Sequence, residues 1–404
     1  MFLALVKNEF IKLFAKKKTY IVILLFIALL GILVAVGEGS ENSYLRNNDP
    51  KMRIENLENQ IRYETEYIEN MKKDENISKE DLEAQINSSE QYIKDLDNQI
   101  QSLKIQVENA SKDYWKEDAK RQITDLNESL ANTTNQDDKA YLSREIKKIK
   151  THLNHNIPLD EGNMNYGFNH FYLSLGFITL MFLGFGLVLF NSDNISGEYN
   201  PGTLKFLLIQ PVTRIKVLLS KFVVMVLSSL GLIIGIQTLF LVGVGLIKGF
   251  GSLYRPMLVG IKYEYIMENG QEILSRIANS GYYISFGEYL LRMLFLEILS
   301  IITITAFIYM VSTISKSSVI SMTIGIGIFL GSTIIYNLSH TYRKFSFFNF
   351  LHYTDVDSIV SGTIVGNTGA LNFTYPIVVI SSLITTILFI TISCVFFKKR
   401  DILI

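Results

Sequence analysis

Six apolar runs, each near the length a helix needs to cross a bilayer, dominate this 404-residue chain: Thr19–Val36, Phe171–Phe190, Val217–Ile247, Gly287–Ile314, Val319–Tyr336 and Tyr375–Phe397. A chain with that pattern cannot bury its apolar surface as a soluble globule, and it cannot stay disordered. The runs therefore predict an all-α membrane protein with six transmembrane helices. The third run is long enough to tilt or to carry a non-membrane end. The first is too long for the apolar core of a signal peptide, although Ala35-Val36-Gly37 resembles a cleavage site.

Charge is distributed in the same uneven way. The whole chain carries 38 basic and 38 acidic side chains. Residues 38–165 hold 18 and 27 of them, a net of −9, and the remainder holds 20 and 11, a net of +9. Whole-chain neutrality thus averages two unlike regions and says nothing about partners. No nucleic-acid partner is expected. The single cysteine, Cys394, lies in the last apolar run, so no disulfide framework holds the polar region.

Basic residues orient the spans. Lys7, Lys12, Lys16, Lys17 and Lys18 precede the first. Lys205, Arg214, Lys216 and Lys221 follow the second, Lys316 sits between the fourth and fifth, and Lys398, Lys399 and Arg400 follow the sixth. All fall on one side when both termini are cytoplasmic. The expected organisation is a cytoplasmic amphipathic helix at 1–18, span one at 19–37, an extracellular domain at 38–165, and spans two to six within 166–404, with a cytoplasmic loop at 191–216. Tyr166, Phe168, His170, Phe171 and Tyr172, and then Tyr282, Tyr283, Phe286 and Tyr289, read as anchors in the outer headgroup layer.

The polar domain reads as long helices. From Lys51 to Ile157 there is neither Gly nor Pro. Leu82, Ile86, Ser89, Ile93, Leu96, Ile100, Leu103, Val107 and Ala110 alternate four and three apart, the spacing of a coiled-coil seam. Ile54, Leu57, Ile61, Ile68 and Met71 form a second stripe, and Leu142, Ile146, Ile149 and Leu153 a third. Ser78 with Asp81 suits a helix start, and Asn132–Gln136 a connection. Helices near 51–73, 79–131 and 137–154 are predicted, folded back as an antiparallel coiled coil, with pairing to a second subunit as the alternative. His152 and His155 have metal-compatible spacing but no third ligand nearby, and read as a solvated helical face.

Catalytic motifs are missing. The sequence has no G-x-x-x-x-G-K-[ST], H-E-x-x-H, G-x-S-x-G or C-x-x-C. Gly231 with Gly235, and Gly327 with Gly331, are small pairs that let membrane helices approach closely. Glu297 lies about ten residues into span four, where a carboxylate costs roughly 2.5–3.5 kcal/mol to insert. It is a candidate to line a pathway, or to pair with a polar group. Pairing with Arg292 would explain it without transport, while Arg292 and Glu288, four apart, form a local helix pair. Alternation around Asn269-Gly270 predicts a hairpin within Val259–Glu272, a small lid over the outer mouth.

Two basic-side elements suggest docking. Phe2, Val6, Phe10 and Leu13 form one stripe of an amphipathic helix, with Asn8 and Lys12 opposite. Such a helix lies in the inner headgroup layer, its lysines drawn to anionic membrane lipid. In the loop after span two, Asn200-Pro201 starts and Pro211 ends a short helix presenting Leu204, Leu207 and Leu208 beside Lys205 and Glu198.

These residues carry a resemblance. Gly197-Glu198 through Gly202-Thr203-Leu204-Lys205-Phe206-Leu207-Leu208 to Pro211-Val212-Thr213-Arg214 resembles the cytoplasmic loop of ABC-2 type transporter permeases. Leu5-Val6-Lys7-Asn8-Glu9-Phe10-Ile11-Lys12-Leu13 resembles their N-terminal interface helix, and Ser315–Ser318 and Phe396–Ile402 also fit. Within the family, the branch of bacitracin- and sodium-exporter permeases is most similar. The resemblance implies a subunit that is not itself an enzyme: an exporter permease of a bacterial cell membrane, paired with a second permease. A separate cytoplasmic ABC ATPase would hold the ATP and Mg, since no cofactor is expected in this chain. It implies that Thr203–Gln210 is the coupling helix, flanked by Glu198 and Arg214, braced by Phe2–Phe14. Short re-entrant helices are implied between spans five and six. Peptide antibiotics or other amphipathic molecules are the expected substrates, which would make the chain a resistance determinant. A rival function is mechanotransmission, in which the extracellular coil regulates a cell-wall or receptor partner.

Overall fold

A computed structural model describes residues 2–73, 79–108, 114–198 and 213–399, and among them the chain is mostly helical. It divides into two compact units: Met1–Ala35, Thr134–Arg144 and Asn165–Ile404 form one, and Val36–Thr133 with Glu145–Met164 the other.

In the first unit, helix α1 (Phe2–Phe14) is followed at once by α2 (Lys17–Asn48), which runs past Val36 without a break. Five described helices are long and apolar enough to cross a membrane: α2, α9 (Arg214–Lys248), α10 (Phe286–Ile314), α11 (Ser318–Leu338) and α15 (Tyr375–Lys399). The expected straight second span is instead two helices, α7 (Gly167–Met181) and α8 (Leu183–Asn191). They meet at Phe182 with an axis change of 69°, and together they make a sixth candidate span. Nothing in the local sequence forbids a straight helix here except Gly184 and Gly186, whose faces are filled by the rings of Phe329 and Phe182.

The glycine pairs behave differently from expectation. A Cβ added at Gly231, Gly235, Gly327 or Gly331 would meet nothing within 4 Å. Close backbone approach occurs at Gly167 instead, where a Cβ would lie 2.9 Å from both Gly245 Cα and Leu241 O of α9. Two apolar clusters fill this unit, one around Phe26, Leu187, Ile233 and Ile304, the other around Tyr289, Met293, Val356 and Phe373.

Between α9 and α10 lie four short strands. Strands β2 (Tyr263–Glu268) and β3 (Gln271–Arg276) form the predicted hairpin, with Asn269 at φ 51° and Gly270 at φ 77°, the left-handed pair that a tight two-residue turn requires. Strands β1 (Pro256–Val259) and β4 (Tyr282–Ser285) pair antiparallel, and Ser285 then caps α10 through Glu288 N–H. After α11 come α12 (His340–Lys344), two 3-10 turns, α13 (Val356–Ser361) and α14 (Ile364–Thr368), all short as expected.

Several expected headgroup anchors are interior residues. His170, Phe171, Phe286 and Tyr289 are buried. Tyr172 and Tyr289 donate to Asp357 Oδ1 at 2.8 and 2.6 Å. A phenol that finds a buried acceptor gains more there than at a wet interface, which is why the anchor reading fails at these positions.

In the second unit, α3 (Pro50–Met71) begins at Asp49, whose side chain accepts from Lys51 N–H, with Pro50 in the first turn. It packs along α4 (Lys79–Glu108). Tyr92 donates to Gln60 Oε1 at 3.4 Å, and Lys104 lies 3.9 Å from Glu58, so the pair runs antiparallel. The seam is a line of burial: Ser89, Leu96, Ile100 and Leu103 are buried, Leu82, Ile86, Ile93 and Val107 half-buried, and the described positions between them exposed. The expected middle helix is described as α4 and α5 (Tyr114–Asn132); Ala110 and Ser78 fall outside the described residues. Asn135 caps the start of α6 (Gln136–Asn154) by accepting from Asp137 N–H at 2.9 Å.

The first helical turns of α6 belong to the membrane unit, where the expected boundaries had left them in the polar domain. There Asn279 donates to Asp137 O, and Arg144 to Ser280 O at 3.0 Å. His152 is not on a solvated face: it is 3 % exposed, with Nδ1 3.2 Å from Ile157 O, while His155 is exposed. The reversal of the chain after α6 folds Ile157 back over the imidazole.

Candidate functional site

The site grows from the break between α1 and α2. Thr19 Oγ1 donates to Leu13 O at 2.7 Å, and Lys16 N–H to the same carbonyl at 3.2 Å, so the two helices join without slack. One face of α1 is then turned inward. Leu5 packs on Val217 of α9, Leu13 enters the core, and Val6 and Phe10 lie half-buried against it. Phe2, the first residue of the predicted stripe, is 38 % exposed.

Glu9 sits on this inward face between Leu5 and Leu13. An unpaired carboxylate there would be costly, and the fold answers it with Lys221 of α9, 2.7 Å from Glu9 Oε2 and only 2 % exposed. Lys221 also reaches Glu198 Oε1 at 2.8 Å. Lys12 closes the ring, 3.1 Å from Glu9 Oε1 and 2.9 Å from Glu198 Oε1. Two cations and two anions alternate, so the ring is neutral. Burial alone would pull the Lys12 ammonium down, but the carboxylates of Glu198 and Glu9 outweigh it and hold the group above its usual value.

Glu198 closes the short 3-10 turn Ser196–Glu198, which has no long helix to hold it. Ser312 of α10 supplies the hold. Its Oγ donates to Ser192 O at 2.8 Å and accepts from Ser196 N–H at 3.0 Å and Ile195 N–H at 3.3 Å. Asn191 donates to Ser229 Oγ of α9 at 2.8 Å. Beside this turn, Asp193 pairs with Lys16 at 3.2 Å and with Lys18. Elements α1, α2, α8, α9 and α10 therefore meet at one charged node, immediately before residues 199–212.

Residues 199–212 include most of the predicted coupling residues. Thr203, Leu204, Lys205, Leu207 and Leu208 lie outside the described residues. Glu198 is in the ring, and Arg214 is the first residue of α9. The residues the sequence reasoning missed are Glu9, Asp193 and Ser312, and Lys12 and Lys221 as ion-pair partners in place of mere topology signals. Glu9 with Lys12, three apart, was the available clue; the partners 186 and 212 residues away were not readable from spacing.

Glu297 is a separate polar point, fully buried inside the unit. Gln237 Nε2 of α9 donates to its Oε1 at 3.0 Å, and Thr179 Oγ1 of α7 lies 3.4 Å away. Arg292 does not pair with it; it binds Glu288 at 2.6 Å. The pairing with Arg292 is thus replaced by an uncharged partner on α9, because the helix turns Arg292 and Glu297 to different faces. Among the described residues no group of three or more His, Cys, Asp or Glu is placed to hold a metal ion.

Comparison with known proteins agrees with the resemblance. A family model described as "ABC-2 family transporter protein" matches residues 3–402. The chain is also similar to the uncharacterized protein YhcI of Bacillus subtilis (strain 168), 24% identical over 301 residues, covering 72% of this chain and 86% of the relative.

Proposed function

Since the chain belongs to the ABC-2 transporter family, we propose that it is the membrane-spanning permease subunit of an ATP-binding-cassette exporter. It works with a second permease subunit and a separate cytoplasmic ATPase, in which ATP and Mg reside. The supporting observation is the ring of Glu9, Lys12, Glu198 and Lys221. It joins the amphipathic helix, the entrance of the cytoplasmic loop and the base of α9 into one piece. A push on the loop at 199–212 would then be delivered to α1, α9 and, through Ser312, α10 together. Ion pairs this buried resist being pulled apart singly, so the node moves as a body.

In this reading Thr203–Gln210 is the coupling helix, seated on the ATPase by Leu204, Leu207 and Leu208 with Lys205 beside them. Glu297, held between α7, α9 and α10, is the candidate to line the transport pathway. Both termini and the loop are cytoplasmic, residues 38–165 extracellular, and the cargo a peptide antibiotic or another amphipathic molecule.

The test is a pull-down of the tagged protein from native membranes, read by mass spectrometry, with wild type beside Leu204→Asp/Leu207→Asp. An ATPase recovered with wild type and lost with the double variant supports the reading. Recovery of none under gentle detergent would sink it.

A further inference from the structure

At the end of the membrane unit away from α1, four uncharged polar side chains form a closed cluster. Ser312 marks the α1 end of α10, and α11 runs from there for 21 residues to Leu338. Near the far end, Asn349 Nδ2 donates to Tyr342 Oη at 2.7 Å and to Ser332 Oγ at 3.1 Å. Those two hydroxyl oxygens lie 3.1 Å apart, and His352 Nε2 is 3.1 Å from Ser332 Oγ and 3.3 Å from Tyr342 Oη.

The proton inventory of this cluster has one direction that wastes nothing. Each hydroxyl oxygen already accepts an amide N–H, so each has its own proton to give. If the tyrosine donates to the serine and the serine to His352 Nε2, every proton is used. With Nε2 as donor, one hydroxyl proton is left over. The arrangement that uses every proton within the cluster makes Nε2 the acceptor and leaves the imidazole proton on Nδ1. Tyr336 stacks on the ring at 4.5 Å and fixes its plane. Burial pushes His352 down to about 4, so the ring is neutral in the physiological range.

This imidazole forms part of the wall of a groove of about 440 Å³, within the range of small-molecule sites. Phe185, Phe329 and Leu351 give it apolar wall, and Thr333, Asn337 and Thr354 give it hydrogen-bonding groups. No lining residue is charged. Gly184 and Phe185 stand directly after the break between α7 and α8. An interrupted span is tolerated at membrane depth where it lines a cavity, and such breaks mark binding sites. Phe185 and Thr333 are exposed, as are the apolar Leu330 and Ile334 on α11, so the groove opens onto an exposed apolar face.

We infer that this groove binds an uncharged amphiphile entering from the bilayer, its alkyl or aromatic part against Phe185 and Phe329 and a carbonyl, ether or hydroxyl oxygen accepting from His352 Nδ1–H. A charged head group is disfavoured, because nothing in the lining compensates it. The inference needs no ATPase, so it and the transporter reading stand or fall separately.

The experiment uses the full chain in phosphatidylcholine nanodiscs. Trp115→Phe removes the one native tryptophan, and Phe185→Trp places a reporter on the groove wall. A monoacylglycerol brominated on its chain is titrated in, beside the alkyl sulfate carrying the same chain. Saturable quenching by the glycerol ester is expected, with the sulfate weaker by about tenfold. His352→Phe should weaken the ester by about fivefold, the scale of one hydrogen bond. Thr333→Leu, at an exposed position that cannot unfold the protein, should weaken it by occlusion. Quenching that rises without saturation for both probes, or that saturates alike for both, or that ignores both substitutions, overturns the inference.

Discussion

The two polar constellations of the membrane unit solve the same problem in opposite ways. At the α1 end, four full charges are brought together and cancel in a ring. At the other end, Ser332, Tyr342, Asn349 and His352 reach satisfaction with no charge at all. Charges carry long-range attraction and are costly to separate, which suits a joint that must transmit force. Neutral hydrogen bonds are weaker and directional, which suits recognition of an uncharged ligand. The contrast is quantitative, so it can be broken by substitution.

The largest expected effect is at Lys221. Replacing it by Met leaves Glu9 and Glu198 facing each other with only Lys12 between them, a loss of about 3–5 kcal/mol by analogy with broken buried pairs. Thermal unfolding in detergent should show a large fall for Lys221→Met, and much of it should return when Glu9→Gln is added. A fall no larger than that of Lys12→Met would mean that Lys221 is not the buried centre of the ring.

Next is the seam of the polar unit. Leu96 is 3 % exposed, and Leu96→Ala should cost about 2–4 kcal/mol. Hydrogen exchange should rise along α3 and α4 and stay unchanged around α9 and α10, because the two compact units have separate cores. Equal loss of protection in α10 would show that the units unfold together.

Much of this was written in the sequence, and the reasons are physical. Apolar runs placed α9, α10, α11 and α15 within three residues because bilayer thickness fixes the length of such runs, and the four-three spacing placed the α4 seam because a helix repeats its faces. Asn269-Gly270 announced its hairpin through the backbone angles that only such residues adopt readily. The bend at Phe182 was invisible: the Phe329 ring of α11 that lies against Gly184 just after it comes from 145 residues further along the chain. The ring of charges was equally hidden. Each of its lysines satisfies the positive-inside rule on its own, so topology explained them fully and left no residue to account for. Only folding reveals that Glu9 and Glu198 are the two carboxylates that Lys12 and Lys221 share.

A smaller effect is expected at the uncharged cluster. Tyr342→Phe removes one hydroxyl, leaving Asn349 and His352 each one partner poorer, and should cost about 1 kcal/mol. Its sharper readout is the imidazole: carbon-13 chemical shifts of labelled His352 should report a less uniform Nδ1–H tautomer in Tyr342→Phe. An unchanged, single tautomer would show that Ser332 alone sets the proton position.

The smallest effect belongs to Lys12, and its sign follows from linkage. Its folded-state pKa lies above the ordinary lysine value of 10.5, so its pairing stabilises the fold fully below that value and is lost as pH rises through the folded pKa. The side chain is 36 % exposed, and solvent screening reduces the contribution to about 1 kcal/mol or less. Thermal unfolding of wild type and Lys12→Met should therefore differ slightly and constantly from neutral pH to mildly alkaline pH, then converge in strong alkali. If wild type and Lys12→Met stay apart in strong alkali as well, the ammonium charge is not what Lys12 contributes to the fold, and its aliphatic stem is.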